Sequence, residues 1–354
     1  MGQQQTVEEA PVPEGSPQLT VATYNINWGG CYGGPTAAAP SVVQAILNTK
    51  ADLVLLQEVT GGNQNVYCTV NTTPNTVTLE WQDYLSSHRE ITEEYPFLGF
   101  QLDERWMGGG DAVLSKYPFE EIEWVPADSG WFCGWVLKVL WPVDNHSKPI
   151  YVLNTHLRPP LSPTSPLYGL SVSAWFESKE DRKNDCIKFY QVLLDAIKKE
   201  DESHDGEERD GTEFQSGRNV TYNCIRIFVE PFIIVAGDFN EEESGLAYTY
   251  FESEAHLKDA RKEFDGQVET WFWPVLGVFT YKAKYDHIFY SPSSFRCLTA
   301  EVRKEGASDH YPVVATLIPR PKEEEEKKEV EEAEERNILE ATETVNNKRR
   351  RLGS

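Results

Sequence analysis

Apolar and polar residues alternate along residues 19–319 with two periods, that of a β-strand and that of an α-helix. Apolar runs rich in β-branched residues predict buried strands, and several of these runs end abruptly at a polar residue. The predicted strands are residues 19–27, 53–56, 111–116, 131–141, 149–157, 231–237, 284–290 and 311–318. Because helical patterns separate some of these strands, the sequence predicts a layered α/β protein.

Two segments have the pattern of a helix with one clear apolar face. Pro40 opens the first, and the sequence Ser178-Lys-Glu-Asp181, which resembles a capping box, opens the second, which continues to Lys199. Weaker helical patterns cover residues 81–91, 244–251 and 256–262, and residues 219–229 have the pattern of an extra strand. The glycines at 108–110 predict a hairpin turn and not a phosphate loop, because no Gly-Lys-Ser/Thr follows them.

Three segments differ in composition from this body. Residues 1–18 are rich in Gln, Glu and Pro with almost no apolar side chains, which predicts a disordered N-terminal tail. Residues 200–217 predict an acidic surface insertion. Residues 320–354 pair Glu with Lys at helical spacing but contain too few apolar residues for a coiled coil, so we expect a largely disordered or solvated helical tail. We expect the rest of the chain, residues 19–319, to form one folded domain.

The composition narrows the class of protein. No apolar run is long enough to span a bilayer, and the first residues lack the features of a secretory signal. The six cysteines contain no Cys-x-x-Cys pair, which argues against a zinc site and a disulfide scaffold and fits a reducing compartment. We therefore expect a soluble intracellular protein, a monomer located in the cytoplasm.

The chain is strongly acidic, with a net charge of −24. Roughly half of this charge remains after the two tails and the acidic stretch near 200–213 are set aside, so the folded body is itself acidic. A broad nucleic-acid-binding face is therefore disfavoured. A substrate that carries phosphate would have to be bound locally, by a few bases and by metal ions.

Two short motifs bear on where the protein acts. Met1-Gly2-x-x-x-Thr6 matches the pattern for N-myristoylation, although the acidic Glu8 and Glu9 stand where a second, basic membrane signal would help. Acylation of Gly2 would give weak association with the membrane periphery. The basic run at 348–351 fits a nuclear-import signal, and a solvated tail is the alternative.

Polar side chains stand at the ends of the predicted strands. These residues are Asn25, Glu58, His156, Asp238 with Asn240, Asp286, and Asp309 with His310. Residues two apart in extended backbone point to the same side, so Asp238 and Asn240 can reach one point while Phe239 points into the core. An ordinary turn is the alternative for an isolated Gly-Asp-x-Asn, but two mixed sheets with a common rim would bring all of these groups together.

Together these residues could bind a metal ion and act on a phosphate group. The carboxylates of Glu58 and Asp309 and the amide oxygen of Asn25 are hard ligands that suit Mg²⁺ or Mn²⁺ and not Zn²⁺. Asp238 can orient and deprotonate water, and Asn240 can donate to a phosphoryl oxygen. His310, paired with Asp286, can stay protonated and stabilise negative charge on phosphorus.

Six segments in order resemble the endonuclease/exonuclease/phosphatase superfamily, which has the deoxyribonuclease-I-like fold. They are Thr-Tyr-Asn-Ile-Asn (23–27), Leu-Gln-Glu-Val (56–59), Asn-Thr-His-Leu (154–157), Gly-Asp-Phe-Asn (237–240), Tyr-Asp-His-Ile (285–288) and Ser-Asp-His-Tyr-Pro-Val (308–313). The resemblance implies a four-layer α/β sandwich, in which two packed mixed β-sheets are flanked by helices. It also implies Mg²⁺-dependent phosphoester hydrolysis, with His156 as a further histidine that contacts phosphate.

The resemblance leaves the substrate open. Inositol-phosphate phosphatases of this fold carry Trp-Cys-Asp-Arg where this chain has residues 284–287, and tyrosyl-DNA phosphodiesterases have Thr at the position of Phe239. We expect a phosphodiesterase or nuclease that acts on nucleic acid or nucleotides, with Arg158, Trp28 and Trp271 as candidate substrate-binding residues. The alternatives are a phosphatase or phosphodiesterase of a lipid or small phosphorylated molecule, and a non-catalytic binding protein with the same fold.

Overall fold

The computed structural model describes residues 15–27, 35–59, 81–102, 110–130, 132–143, 146–160, 172–207, 231–264, 268–275 and 279–320. In chain order the elements are β1 (Leu19–Asn25), α1 (Pro35–Thr49), β2 (Leu53–Val59), α2 (Trp81–Ser87), α3 (Arg89–Glu94), β3 (Phe97–Gln101), β4 (Gly110–Ser115), β5 (Phe119–Pro126), β6 (Cys133–Val143), β7 (His146–His156), α4 (Val172–Glu207), β8 (Phe232–Asp238), α5 (Leu246–Thr249), a π-helical turn (Tyr250–Glu254), β9 (Lys258–Asp259), a 3₁₀ turn (Ala260–Glu263), β10 (Trp271–Val275), β11 (Phe279–Ala283), β12 (Asp286–Tyr290), β13 (Phe295–Val302) and β14 (Val313–Pro319).

The strands of the described residues form two six-stranded mixed sheets and one two-stranded hairpin. The first sheet has the order β13-β14-β1-β2-β4-β3, the second has the order β5-β6-β7-β8-β12-β9, and β10 pairs with β11. β1 is antiparallel to β14, with Leu19 opposite Leu317, and parallel to β2. β7 is parallel to β8 in the second sheet. Each sheet therefore has one parallel pair whose carboxyl ends lie at a single edge.

Three apolar layers hold the sheets and helices together. Leu55 of the first sheet and Ile234 of the second lie in the layer between the two sheets. A second layer packs Ile46 of α1 against the outer face of the first sheet, and a third packs Phe189 of α4 against the outer face of the second. The order helix, sheet, sheet, helix confirms the predicted four-layer α/β sandwich.

Several predicted boundaries are wrong. The structure starts α1 at Pro35, so Pro40 lies inside the helix, whose apolar face already includes the buried Ala39. α4 continues to Glu207 and includes the start of the predicted acidic insertion, because acidic residues without Gly or Pro before Gly206 are compatible with a helix. β1 ends before Asn27, whose φ of 42° lies in the left-handed region.

Residues 256–262 were predicted as a helix, but they contain β9 and a 3₁₀ turn. Besides β9, the strands that the sequence pattern did not predict are β3, β5, β10, β11 and β13. β3 and β5 lie at sheet edges, where polar residues interrupt the apolar pattern. The predicted N-terminal tail up to residue 14, the strand at 219–229 and the tail after Arg320 lie outside the described residues. No helix among the described residues is long and apolar enough to cross a membrane.

Candidate active site

The polar ends of strands from both sheets meet at one edge of the sandwich. Pairing places His156 at the end of β7 directly opposite Asp238 at the end of β8. β12 begins at the same edge and places Asp286 opposite Asp238 from the other side. A hydrogen bond across the interface between the sheets adds Asn25 of β1 to this group, and Asn25 in turn bonds Glu58 of β2 in its own sheet. The structure therefore brings together residues that are far apart in the sequence.

Asn25 joins the two sheets at this edge. Its Nδ2 donates to Glu58 Oε1 at 3.0 Å and to Asp238 Oδ2 at 2.9 Å. Its Oδ1 accepts from the backbone N–H of Asn27 at 2.8 Å. Since the side chain makes all three contacts and is fully buried, its orientation is fixed.

Glu58 reaches the site through an irregularity in β2. The pairing with β4 shifts register between Leu56 and Val59, and Glu58 has a φ of 57°, which an L-residue adopts only at a cost. Burial and, to a smaller extent, the negative charge of Asp309 together raise the pKa of Glu58 to about 8. The strained backbone thus holds a carboxylate next to another acid.

Asp238 is the most highly connected acid of the site. Its Oδ2 lies 3.5 Å from His156 Nε2 and 3.6 Å from His310 Nε2, and its Oδ1 accepts from the backbone N–H of Asn240 at 2.8 Å. Burial raises the pKa of Asp238 to about 7, with His310 acting in the opposite direction. A group with this pKa can accept a proton near neutral pH.

Gly237 allows β8 to approach β7 just before Asp238. Its φ is 153°, and a Cβ atom at this position would lie only 1.7 Å from the carbonyl oxygen of Thr155. Any side chain here would separate the two strands. Gly237 therefore keeps Asp238 and His156 at their observed distance.

His310 is paired with Asp286 below the site. Nδ1 of His310 lies 2.8 Å from Asp286 Oδ2, and the carboxylate is fully buried. Burial alone would lower the pKa of His310, but the charges of Asp286 and Asp238 outweigh burial and raise it to about 10. The backbone N–H of Asp286 donates to Thr270 Oγ1 at 3.1 Å, and this bond fixes the position of the pair. The imidazole is therefore cationic at neutral pH.

His156 has the opposite environment. Burial lowers its pKa well below the usual value, and the positive charge of His310 lowers it further. The ring of Phe132 stacks on the imidazole, with centroids 3.5 Å apart and planes at 14°. Phe132 has a φ of 50°, which is unusual for an aromatic residue, and the sequence pattern gave no sign of its position. The site thus contains one neutral and one charged histidine.

Asp309 completes the acidic side of the site. Trp271 Nε1 donates to Asp309 Oδ2 at 3.0 Å, and burial raises the pKa of this carboxyl. Glu58 and Asp309 offer carboxylate oxygens that fit a divalent cation, because burial raises the pKa of both acids and a cation would compensate their charge. Asn25 presents its amide nitrogen to Glu58 and its oxygen to Asn27, so here it positions Glu58 and offers no oxygen beside it. Two groups of described residues, Glu58 with His156 and Asp238, and Asp238 with Asp286 and His310, also have ligand atoms within 4.8 Å of one another.

A buried polar network supports the site from below. Gln57 Nε2 donates to Asn154 Oδ1 at 2.8 Å, and Asn154 Nδ2 donates to the carbonyl of Leu56 at 3.1 Å. Gln57 also bonds Thr23, so the network joins both sheets. Gln57 and Asn154 lie within two of the six family-like segments, but the sequence pattern predicted no role for them; their polar character inside apolar strands was the available signal.

The remaining candidate residues have different surroundings. Asn240 lies beside Asp238, and its Nδ2 donates to the carbonyl of Leu157 at 2.9 Å. Arg158 is 8% exposed and its guanidinium contacts Asp181 of α4, so it is engaged within the protein. Trp28 lies outside the described residues. Phe239 is fully buried in the layer under α4, as the alternation along β8 predicted.

Comparisons with known proteins agree with this geometry. The model of the Endonuclease/Exonuclease/phosphatase family matches residues 22–310. The comparison with curated proteins found no match. Among solved structures, the human Nocturnin catalytic domain with bound sulfate anion is 18% identical, with a TM-score of 0.52 over 86% of this chain and 96% of that one.

Two further structures share the fold at similar distance. An endonuclease/exonuclease/phosphatase from Beutenbergia cavernae is 19% identical, with a TM-score of 0.53 over 85% of this chain and 72% of that one. D. rerio TDP2 complexed with single strand DNA product is 14% identical, with a TM-score of 0.50 over 85% of this chain and 98% of that one. At these identities the likeness concerns the fold.

Proposed function

The chain belongs to the endonuclease/exonuclease/phosphatase family, whose members are phosphoester hydrolases, and from this premise we propose that it is a Mg²⁺- or Mn²⁺-dependent phosphodiesterase of nucleic acid or nucleotides. One observation carries the proposal. The buried carboxylate of Asp238 faces a neutral imidazole on one side and a cationic imidazole on the other. A base placed next to a fixed positive charge is suited to the attack of water on an anionic phosphodiester.

Each residue of the site has a role in this proposal. Asp238 orients the attacking water and accepts its proton, since its pKa of about 7 lies near the working pH. His310, held cationic by Asp286, stabilises the negative charge that develops on phosphorus. His156 and Asn240 donate hydrogen bonds to phosphoryl oxygens; the Nδ2 of Asn240 carries two hydrogens, and one of them is bonded to Leu157.

Glu58 and Asp309 would hold the divalent cation, and Asn25 would position Glu58 through its donated hydrogen bond. When bound, the cation would supply charge that polarises a phosphoryl oxygen. The side chain of Asn25 keeps Glu58 and Asp238 close to each other through its two donated hydrogen bonds. These bonds therefore connect the metal ligand Glu58 with the proton acceptor Asp238.

The aromatic residues next to Asp309 support a substrate that carries a base. Trp271, whose Nε1 bonds Asp309, stacks against Tyr285 with centroids 5.1 Å apart, and the neighbouring Tyr281 is 46% exposed. Exposed aromatic rings next to a phosphate site can stack on nucleobases. The D. rerio TDP2 structure, which holds a single strand DNA product, makes single-stranded DNA a reasonable first substrate to test.

A panel of substrates with Mg²⁺ tests the proposal. Single-stranded DNA, RNA, a dinucleotide and phosphoinositide vesicles should be compared for the parent protein and Asp238→Asn. We expect hydrolysis of a nucleic acid or nucleotide, and a loss of about a hundredfold or more in the variant. Hydrolysis of the phosphoinositide alone would replace the proposed substrate with a lipid, and near-normal turnover by Asp238→Asn would exclude Asp238 as the base.

A further inference from the structure

A buried ion pair lies near the ends of β7 and β8, between α4 and the segment after β8. Arg182 is 1% exposed and Glu241 is 5% exposed. Nε of Arg182 donates to Oε2 of Glu241 at 2.9 Å. Burying two charges is costly, and it is tolerated where the pair makes further hydrogen bonds. The further bonds of this pair show what it holds in place.

Arg182 fixes the segment that follows β7. Its Nη1 donates to the carbonyl oxygen of Arg158 at 3.0 Å and to Ser178 Oγ at 3.0 Å. Arg158 comes two residues after His156. The guanidinium therefore holds the backbone just beyond a histidine of the site, and it does so from α4, none of whose described side chains belongs to the group around Asp238.

Glu241 fixes the segment that follows β8. Its Oε1 accepts from the backbone N–H of Tyr248 in α5 at 2.9 Å, and its carbonyl oxygen lies 3.1 Å from His287 Nε2. Glu241 directly follows Asn240, which has a φ of 48°. A Cβ atom at Gly245 would lie 2.2 Å from Cδ of Glu241, so the side chain occupies a space that a glycine leaves open.

We propose that Arg182 and Glu241 are positioning residues, which hold the segments after β7 and β8 at a fixed separation and thereby orient His156, Asp238 and Asn240. The planar guanidinium suits this role, because its rigid donors reach three acceptors on different segments at once, whereas an ammonium group is a single point charge. A displacement of about 1 Å at a reacting group can lower a rate by about a hundredfold. The kinetic consequence rests on the proposed phosphodiesterase function.

Three variants of the pair and one control test this role. Arg182→Met removes all three bonds, Arg182→Lys retains the charge, and Glu241→Gln retains the shape of the carboxylate. Lys183→Met is the matched control: Lys183 is the next residue of α4, and its Nζ pairs with Glu254 Oε1 at 2.8 Å on the exposed side of the helix. Kinetics should be measured on the best substrate of the panel, well below the melting temperature of each variant.

We expect Arg182→Met to lower kcat by about a hundredfold and to change KM only a few-fold, because geometry and not binding is lost. Arg182→Lys should lose less, and Lys183→Met should match the parent. A lower melting temperature with unchanged kcat in Arg182→Met or Glu241→Gln would overturn the positioning role and leave a purely structural one. If Arg182→Met does not fold, Arg182→Lys and Glu241→Gln carry the test.

A readout without catalysis separates this inference from the proposed function. The imidazole NMR signals of His156 and His310 report the geometry of the site directly. They should shift in Arg182→Lys and stay at the parent positions in Lys183→Met. If the parent hydrolyses no substrate, the proposed function fails, and shifted signals would still support the positioning role. Unshifted signals in Arg182→Lys and Glu241→Gln would overturn it.

Discussion

Asp286→Asn isolates the electrostatic support of His310 from contacts with metal and substrate. The carboxylate is fully buried, with Oδ2 2.8 Å from Nδ1 of His310. Asparagine has nearly the same shape, and its amide oxygen can still accept the hydrogen bond from Nδ1. The substitution therefore removes mainly a negative charge. Its effect should appear in how activity depends on pH.

The magnitude follows from the environment of the imidazole. Burial lowers the pKa of His310, whereas Asp286 and Asp238 raise it to about 10. Without the charge of Asp286, burial and the remaining charge of Asp238 oppose each other, and we take the ordinary histidine pKa of about 6.5 for the variant. Activity that requires cationic His310 is present below this pKa and lost above it. At pH 8 nearly all of the parent but only ~3% of the variant would be cationic, so the ratio of their rates should rise from about 1 at pH 6 to about thirty at pH 8.

The assay is a pH–rate profile of both proteins with saturating substrate and metal, supported by NMR titration of the His310 imidazole. Asp259→Asn is the matched control, because Asp259 Oδ2 pairs with the ring of His287 at 3.3 Å and the pair lies outside the reacting groups. Its profile should keep the alkaline limb of the parent. A parent-to-variant ratio that stays constant from pH 6 to pH 9 for Asp286→Asn would refute the electrostatic reasoning.

Three other predictions concern the metal, the strand contact and the polar network. Excess EDTA should abolish turnover, and added Mg²⁺ or Mn²⁺ should restore it. Glu58→Gln should raise the metal concentration needed for half-maximal activity. Undiminished turnover in EDTA would contradict the ligand assignment. Gly237→Ala should lower the free energy of unfolding by about 3 kcal/mol or more, since its Cβ would meet the backbone of Thr155, whereas Gly130→Ala, with nothing within 4 Å, should cost about 1 kcal/mol. Asn154→Leu should cost about 1–3 kcal/mol in urea unfolding because Gln57 loses a buried acceptor, and Gln44→Ala, which removes an exposed bond to Asn48, should cost little.

The strand ends could be predicted from the sequence because burial and chemistry change at the same residue. The apolar run of β8 is buried throughout and ends at Asp238, and the change from apolar to acidic marks both the strand and the candidate site. β10 and β11 were missed because they form a separate hairpin, where pairing and not burial of a long apolar run defines the strands. The pattern of apolar and polar residues therefore predicts a strand only where that strand is buried in the core.

The supporting contacts could not be predicted, since they join residues that are distant in the sequence. Arg182 and Glu241 are 59 positions apart, and on a helix with many charged residues nothing distinguishes Arg182 from its exposed neighbours. Phe132 was missed for a related reason, because its stacking on His156 depends on a left-handed backbone conformation. The acids and histidines of the site were visible in the sequence, whereas the residues that orient them depend on the tertiary fold.

The antiparallel pairing of β1 with β14 has a consequence for how the protein is made. β1 lies inside the first sheet, yet its partner β14 comes last in chain order among the described strands and so leaves the ribosome long after β1. The second sheet uses strands between residues 119 and 290, so we expect His156, Asp238 and Asp286 to be assembled while β1, which carries Asn25, is paired with β2 but still lacks β14 on its other side. Nascent chains stalled before Val313 should accordingly protect β7 and β8 from proteolysis and leave β1 open to cleavage. Translation would then complete the candidate site in two stages, the second of them the arrival of β14 beside β1.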